Sequence, residues 1–193
     1  MIETHPLPPF LPPNATLLML GSFPPPRERW KMDFYYPNFQ NDMWRIFGLV
    51  FFNDKDYFVA EQGKAFKEDV LRAFLTQKGI AISDAAYRVQ RLQGNAADKF
   101  LQMVEAVGLA DLLHRLPDCR TILTTGEWAT ETVCSLMSVT ARPKIGEYVA
   151  ADFAGRQMRV YRLPSSSRAY PLSLDKKSAV YRQFFQQMGW IRA

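Results

Sequence analysis

Residues 17–44 read LLMLGSFPPPRERWKMDFYYPNFQNDMW, and this stretch decides the fold. Its first residues form an unbroken apolar run, which predicts a strand over 16–20 buried on both faces of a parallel sheet. The chain then turns sharply at Gly21-Ser22 and passes through Pro24, Pro25 and Pro26. Phe34-Tyr35-Tyr36, Asn38 and Asn41 follow before a helix opens near Asn41 or Asp42, either of which could cap it. A strand whose C-terminal end opens into a Gly/Pro loop is where open α/β sheets bind ligands. The aromatics of this loop could stack on a flat ligand, so the stretch is a candidate site.

Outward from this stretch, strands and helices alternate. Residues 64–77 place Phe66, Val70, Phe74 and Leu75 at helical spacing, and 79–84 (GIAISD) read as a second short buried strand. Asn95 with Asp98 resembles a helix start leading into Phe100, Leu101 and Val104. A further helix over 109–116 stops at Pro117, and 121–125 (TILTT) form a third strand closed by Gly126. Residues 148–153 and 158–163 flank Ala154-Gly155 as a hairpin whose second arm joins the sheet. After Pro164-Ser-Ser-Ser-Arg168 a final helix begins near Ser173. The alternation predicts a three-layer α/β/α sandwich around a central, mainly parallel four-stranded sheet.

At 193 residues with 48% apolar and 13% aromatic residues, the chain is expected to form one domain spanning 1–193. Residues 1–14 read as an extended Pro-rich arm, without the basic flank and continuous apolar stretch of a signal peptide. No apolar run reaches the roughly 18 residues of a membrane span. Cys119 and Cys134 have no metal-ligand spacing and are expected to be reduced thiols, which points to the cytoplasm. The net charge of +5 permits a polyanionic partner without requiring one.

In a parallel sheet the residues just beyond each strand converge on one edge, here 21–41, 83–87, 124–128 and 164–172. These loops offer aromatics, amides, hydroxyls and the carboxylate of Asp84. Neither His5 nor His114 falls in them, and no serine sits in a nucleophile elbow, which argues against a Ser-His-Asp hydrolase. No phosphate-binding glycine fingerprint or metal-ligand cluster is visible, so neither a metal nor a cofactor is expected.

In their order these segments resemble the uracil-DNA glycosylase superfamily. GSFPP at 21–25, FYYPNFQ at 34–40 and NDMW at 41–44 resemble its first motif, most closely in the mismatch-specific and hypoxanthine-acting branches. LPSSSRAY at 163–170 resembles the second motif. GIAISD at 79–84 resembles the strand offering a base-reading residue, and TILTTGEWA at 121–129 the strand-Gly-helix unit. The resemblance covers roughly residues 15–190.

It implies a metal-independent enzyme that flips a deaminated base such as uracil or hypoxanthine from DNA and hydrolyses its bond to deoxyribose. On that footing Phe34 stacks on the base, with Tyr35 as alternative, Phe23 lies beside it, and Asp84 reads the base edge. Asn41, or alternatively Asn38, orients the attacking water. The backbone near Ser22 and Phe23 supports the departing base. Ser165, Ser166 and Ser167 hold phosphates, and Arg168 with 170–172, Leu172 among them, fills the gap in the duplex. Phe34, Asn41, Asp84 and Ser165 should then line one pocket beside a positive groove. Phe23 stands where many relatives carry a water-positioning Asp, Asn or Glu, and the second motif's histidine is absent. A DNA- or nucleotide-binding protein that keeps the fold without catalysis is therefore the alternative. The expected partner is DNA with a damaged or mismatched base, bound by a monomer away from any membrane.

Overall fold

The computed structural model describes residues 1–92 and 100–192. In chain order they form β1 (Ile2–Thr4), β2 (Leu17–Gly21), α1 (Met43–Phe52), α2 (Glu68–Lys78), β3 (Ile80–Asp84), β4 (Ala86–Arg91) and β5 (Leu101–Ala106). There follow α3 (Leu109–His114), β6 (Thr121–Thr125), α4 (Glu127–Leu136), β7 (Tyr148–Phe153), β8 (Arg156–Leu163) and α5 (Leu174–Gln187).

Strand β2 is flanked on both sides, in a five-stranded sheet of order β3-β2-β6-β8-β7. The first four strands are parallel, and β7 runs antiparallel to β8. Side chains alternate faces along a strand, and β2 uses both. Leu17 and Met19 enter one core with Trp44, Phe47, Phe74 and Phe185 of α1, α2 and α5. Leu18 and Leu20 enter another with Leu112, Leu113, Ala129 and Val133 of α3 and α4. This is the expected three-layer α/β/α arrangement, widened at one edge. The fifth strand arises because the hairpin turn at Ala154-Gly155, both at positive φ, pairs the whole of β7 with residues 156–161 of β8.

Two expectations are corrected. Residues 101–106 form a strand rather than a helix, because Met103 and Leu101 pair with Val89 and Arg91 of β4. With β1 they make a second, antiparallel sheet of order β1-β4-β5. The period along this segment is two: Leu101 and Met103 pack with Phe23, Ala86 and Val89, while Val104 is exposed. The expected start at Asn95 and Asp98 lies outside the described residues. Val70, placed inward by helical spacing, is exposed on α2, whose buried residues are Leu71, Phe74 and Leu75.

The N-terminal arm crosses both sheets. Past β1, the His5 N–H donates to the Tyr87 carbonyl at 2.8 Å, and Phe10 bridges to Ile82. Among the described residues no helix is long and apolar enough to cross a membrane. Cys119 and Cys134 are buried and unpaired, and burial pushes the Cys119 thiol up to about 11.

Candidate active site

Parallel register brings the strand ends to one edge: Gly21 lies beside Asp84, Leu20 beside Thr124, and Thr125 beside Leu163. Beyond that edge a cleft of about 1070 Å³ opens. Its walls include Ser22 and Phe23, Tyr35 to Pro37, Asn38 and Asn41, Asp84, Gly126 to Trp128, and 165–171. Asn41, Asp84 and Ser165 therefore share one cavity, as expected. Phe34 does not.

Phe34 belongs to the core. It is 2% exposed, stacks on Trp44 at 6.2 Å, meets Phe10 edge-on at 5.2 Å, and lies under the Arg72 guanidinium at 4.2 Å. The stacking role assigned to it is corrected on that ground. Of the three adjacent aromatics 34–36, the one with a partly open face is Tyr36, whose backbone adopts φ 52°, a conformation side-chain-bearing residues rarely take. This turn swings its ring from the core to the cleft wall, where its hydroxyl meets Thr125 Oγ1 at 3.0 Å and its edge meets Trp44 at 5.8 Å. Tyr35 lines the cleft but is buried, and its hydroxyl donates to the Pro8 carbonyl at 3.1 Å. Burial first, then the nearby Asp84 charge, push the Tyr35 phenol well up. Phe23 lines the cleft while packing against Ala86, Val89 and Leu101.

Both candidate amides lie in the wall with their carbonyl oxygens occupied. Asn41 Oδ1 accepts from the Met43 N–H, the first of α1, at 2.9 Å, and Asn38 Oδ1 accepts from the Gln40 N–H at 3.0 Å. Asn41 thus satisfies a free N–H at the start of α1 from one residue before the N-cap Asp42, and lines the cleft at once. Its second lone pair and its NH₂ group remain the means by which it could hold a water.

Opposite lies the serine loop. Ser165 Oγ accepts from the Ser167 N–H and Ser167 Oγ from the Ala169 N–H, both at 3.2 Å, so each hydroxyl proton can still donate. Ser166 is buried, and its carbonyl accepts from the Asp42 N–H at 3.0 Å. The Asp42 carboxylate joins the two halves of the site, accepting from Arg168 Nε at 2.9 Å and Lys177 Nζ at 3.2 Å. Leu172 is absent from the cleft wall and its N–H donates to the Tyr170 carbonyl at 2.7 Å. The residues that reach the cleft from this loop tip are Tyr170 and Pro171.

His5, dismissed by its position in sequence, is brought to the site by the arm. Its Nε2 lies 2.9 Å from Asp84 Oδ2, with both side chains buried. Burial opposes protonation of the ring, but the hydrogen bond and charge of Asp84, helped by the Leu7 carbonyl, outweigh it and raise the His5 pKa above 6.5. The stability this contributes is fully present below the unfolded value and is lost as pH rises through the raised folded one. Denaturation of wild type and Asp84→Asn between about pH 5 and 8 should show the gap between them narrowing towards alkaline pH. A constant gap would sever the link.

The charge of the wall is mixed: Arg29 and Arg168 face it with Asp84, Glu127 and Glu131. The positive groove expected beside the pocket is not a feature of this wall, and Arg168 is already paired with Asp42. Among the described residues no group of three His, Cys, Asp or Glu side chains could hold a metal ion. Sequence reasoning missed His5, Asp42 and Lys177. Lys177 carried a readable signal, since it falls on the inward stripe of α5 with Tyr181 and Phe184.

No protein-family model matches the chain, and no curated protein matches it either. A solution structure of a Methanosarcina acetivorans protein, provisionally described as a uracil DNA glycosylase, is similar with a TM-score of 0.60 and 24% identity. The likeness covers 94% of this chain and 98% of that one. The two share one fold, and the expectation of a uracil-DNA-glycosylase-like architecture holds.

Proposed function

We propose that the chain is a DNA base-excision glycosylase acting as a monomer, without a metal, on a flipped deaminated base such as uracil or hypoxanthine. The observation that carries this reading is the meeting of Tyr36, Asn41, Asp84 and Ser165 to Ser167 around one cleft at the C-terminal edge of the parallel strands. A flipped base needs a stacking face and edge hydrogen bonds, and its flanking phosphates need donors. Tyr36 offers the face, Asp84 an acceptor for a ring N–H, and the serine hydroxyls the donors. In the reaction the C1′–N bond breaks with its electron pair leaving on the base. A water held by Asn41 then bonds to C1′ and loses a proton, and the base gains one. An amide can orient this water but cannot take its proton, so departure of the base precedes its capture.

Single-turnover cleavage of oligonucleotides carrying uracil, hypoxanthine or xanthine tests the reading. Asn41→Ala is expected to slow excision about ten-fold or more, roughly 1.4 kcal/mol of barrier, and to cost about 1 kcal/mol of stability through the lost bond to the Met43 N–H. Asn41→Ser keeps a short side-chain acceptor for that N–H, so it should recover the stability and not the rate. Unchanged excision in both variants would move the role to Asn38. Two features favour a second reading, a binding protein without catalysis: Phe23 lines the cleft where the family resemblance implies a water-positioning residue, and Asn41 Oδ1 is engaged by the Met43 N–H. Salt-sensitive DNA binding with no excision of any base would establish it.

A further inference from the structure

We propose that His5 is a positioning residue for base recognition, holding the Asp84 carboxylate towards the cleft and setting, by its own protonation, how much negative charge the flipped base meets. The inference rests on the glycosylase reading and assigns that site its pH response.

Geometry carries it. Asp84 closes β3 at the cleft floor, with Oδ2 turned to His5 and Oδ1 turned to Gly21. A methyl group on Gly21 would stand 2.5 Å from that Oδ1, so the glycine makes room for the carboxylate at the cleft wall. His5 stays out of the cleft and lines the neighbouring cavity of about 480 Å³. It touches Asp84 from behind and would not touch the base. Its ring is fixed edge-on to Phe23 at 5.4 Å and alongside Tyr35 at 5.8 Å.

The environment accommodates both protonation states without moving the ring. With one proton, on Nε2, the ring donates to Asp84 while Nδ1 accepts from the Leu7 N–H at 3.2 Å. With two, Nδ1 donates to the Leu7 carbonyl at 2.9 Å and the bond to Asp84 is kept. A histidine so placed changes charge in place. The other titratable groups facing it are few. Tyr35 stays protonated, and Glu105 and Asp111 line the cavity that His5 shares. Arg91 lies beyond Phe23, 5.9 Å from its ring, and Arg72 acts on Tyr35.

The consequence follows from charge. Scission leaves an electron pair on the base beside Asp84, so a bare carboxylate opposes it and a protonated His5 offsets the opposition. Excision should therefore quicken as pH falls through the titration of His5. The test is a single-turnover pH profile of wild type, His5→Gln and Asp84→Asn, with the His5 ring followed by NMR in the same proteins. Glutamine can donate to Asp84 but cannot become charged.

The wild-type rate is expected to rise about ten-fold across the titration, the effect of a neighbouring charge worth about one pKa unit. That step should be absent in His5→Gln, and the ring's midpoint should fall in Asp84→Asn. A step that persists in His5→Gln, or a ring midpoint indifferent to Asp84→Asn, overturns the proposal and leaves the glycosylase reading standing. Absence of excision by wild type, with the ring titration intact, overturns the glycosylase reading and this proposal with it.

Discussion

Replacing Asp42 with alanine is expected to remove about 3–5 kcal/mol of folding free energy. The fall should show as a lower urea midpoint at unchanged slope. The reason is the charge left behind. Lys177 is 1% exposed, and without Asp42 its ammonium keeps only the Ser167 carbonyl at 2.8 Å. Arg168 adds little to the loss, because its half-exposed side chain can turn to water. Lys177→Met should cost less, since Asp42 then retains Arg168, and the double variant should recover part of the loss because no buried charge is stranded. The substitution also removes the side-chain anchor of the serine loop at the start of α1, leaving only the backbone bond to the Ser166 carbonyl, so in the glycosylase reading DNA affinity should fall with stability. A loss in Asp42→Ala below about 1 kcal/mol, the size of an ordinary surface pair, would show that this pair does not hold the site.

Phe34→Ala and Tyr36→Ala are expected to fail in opposite ways. Phe34 fills a space between Trp44, Phe10 and Tyr35, so its truncation leaves a cavity and should cost about 3–5 kcal/mol of stability. Tyr36→Ala loses the hydroxyl contact with Thr125 and part of the packing on Trp44, a change of about 1–2 kcal/mol. Its larger effect should fall on binding, where a lost stacking face is worth about 1–3 kcal/mol per base. Thermal midpoints and titration of a labelled oligonucleotide carrying the excised base, measured below both midpoints, separate the two. The reverse pattern, binding lost in Phe34→Ala and kept in Tyr36→Ala, would return the stacking role to Phe34.

These cases show which features the sequence makes legible. The apolar run 17–20, the glycine after it and the Pro-Ser-Ser-Ser loop are local signals, and local signals place both a parallel strand and the loops at its end. They do not decide which of three adjacent aromatics faces the cleft. That depends on the positive φ of Tyr36, a backbone choice stabilised by Trp44 and Thr125, which are distant or not diagnostic in sequence. β5 was misread because pairing with β4 overrode an apparent helical spacing in a short segment. His5 was invisible because 79 residues separate it from Asp84, and only the arm's pairing with β4 and β3 brings it back. Which residue of 170–172 reaches the cleft is not legible locally either, because the loop is held by the bond from Arg168 to Asp42, 126 residues away.

The pairing of Asp42 with Lys177 also has a bearing on synthesis. The two lie 135 residues apart, and Arg168 lies 126 residues beyond Asp42. On a ribosome, at about 5–20 residues per second, the carboxylate waits unpartnered for several seconds after it emerges. Helix α1 and the strand before it can form early, yet the loop that completes the cleft lacks its Lys177 anchor until α5 is out. A nascent chain thus carries the aromatic half of the pocket before its serine half, and the buried Asp42–Lys177 pair closes only once the late helix has docked.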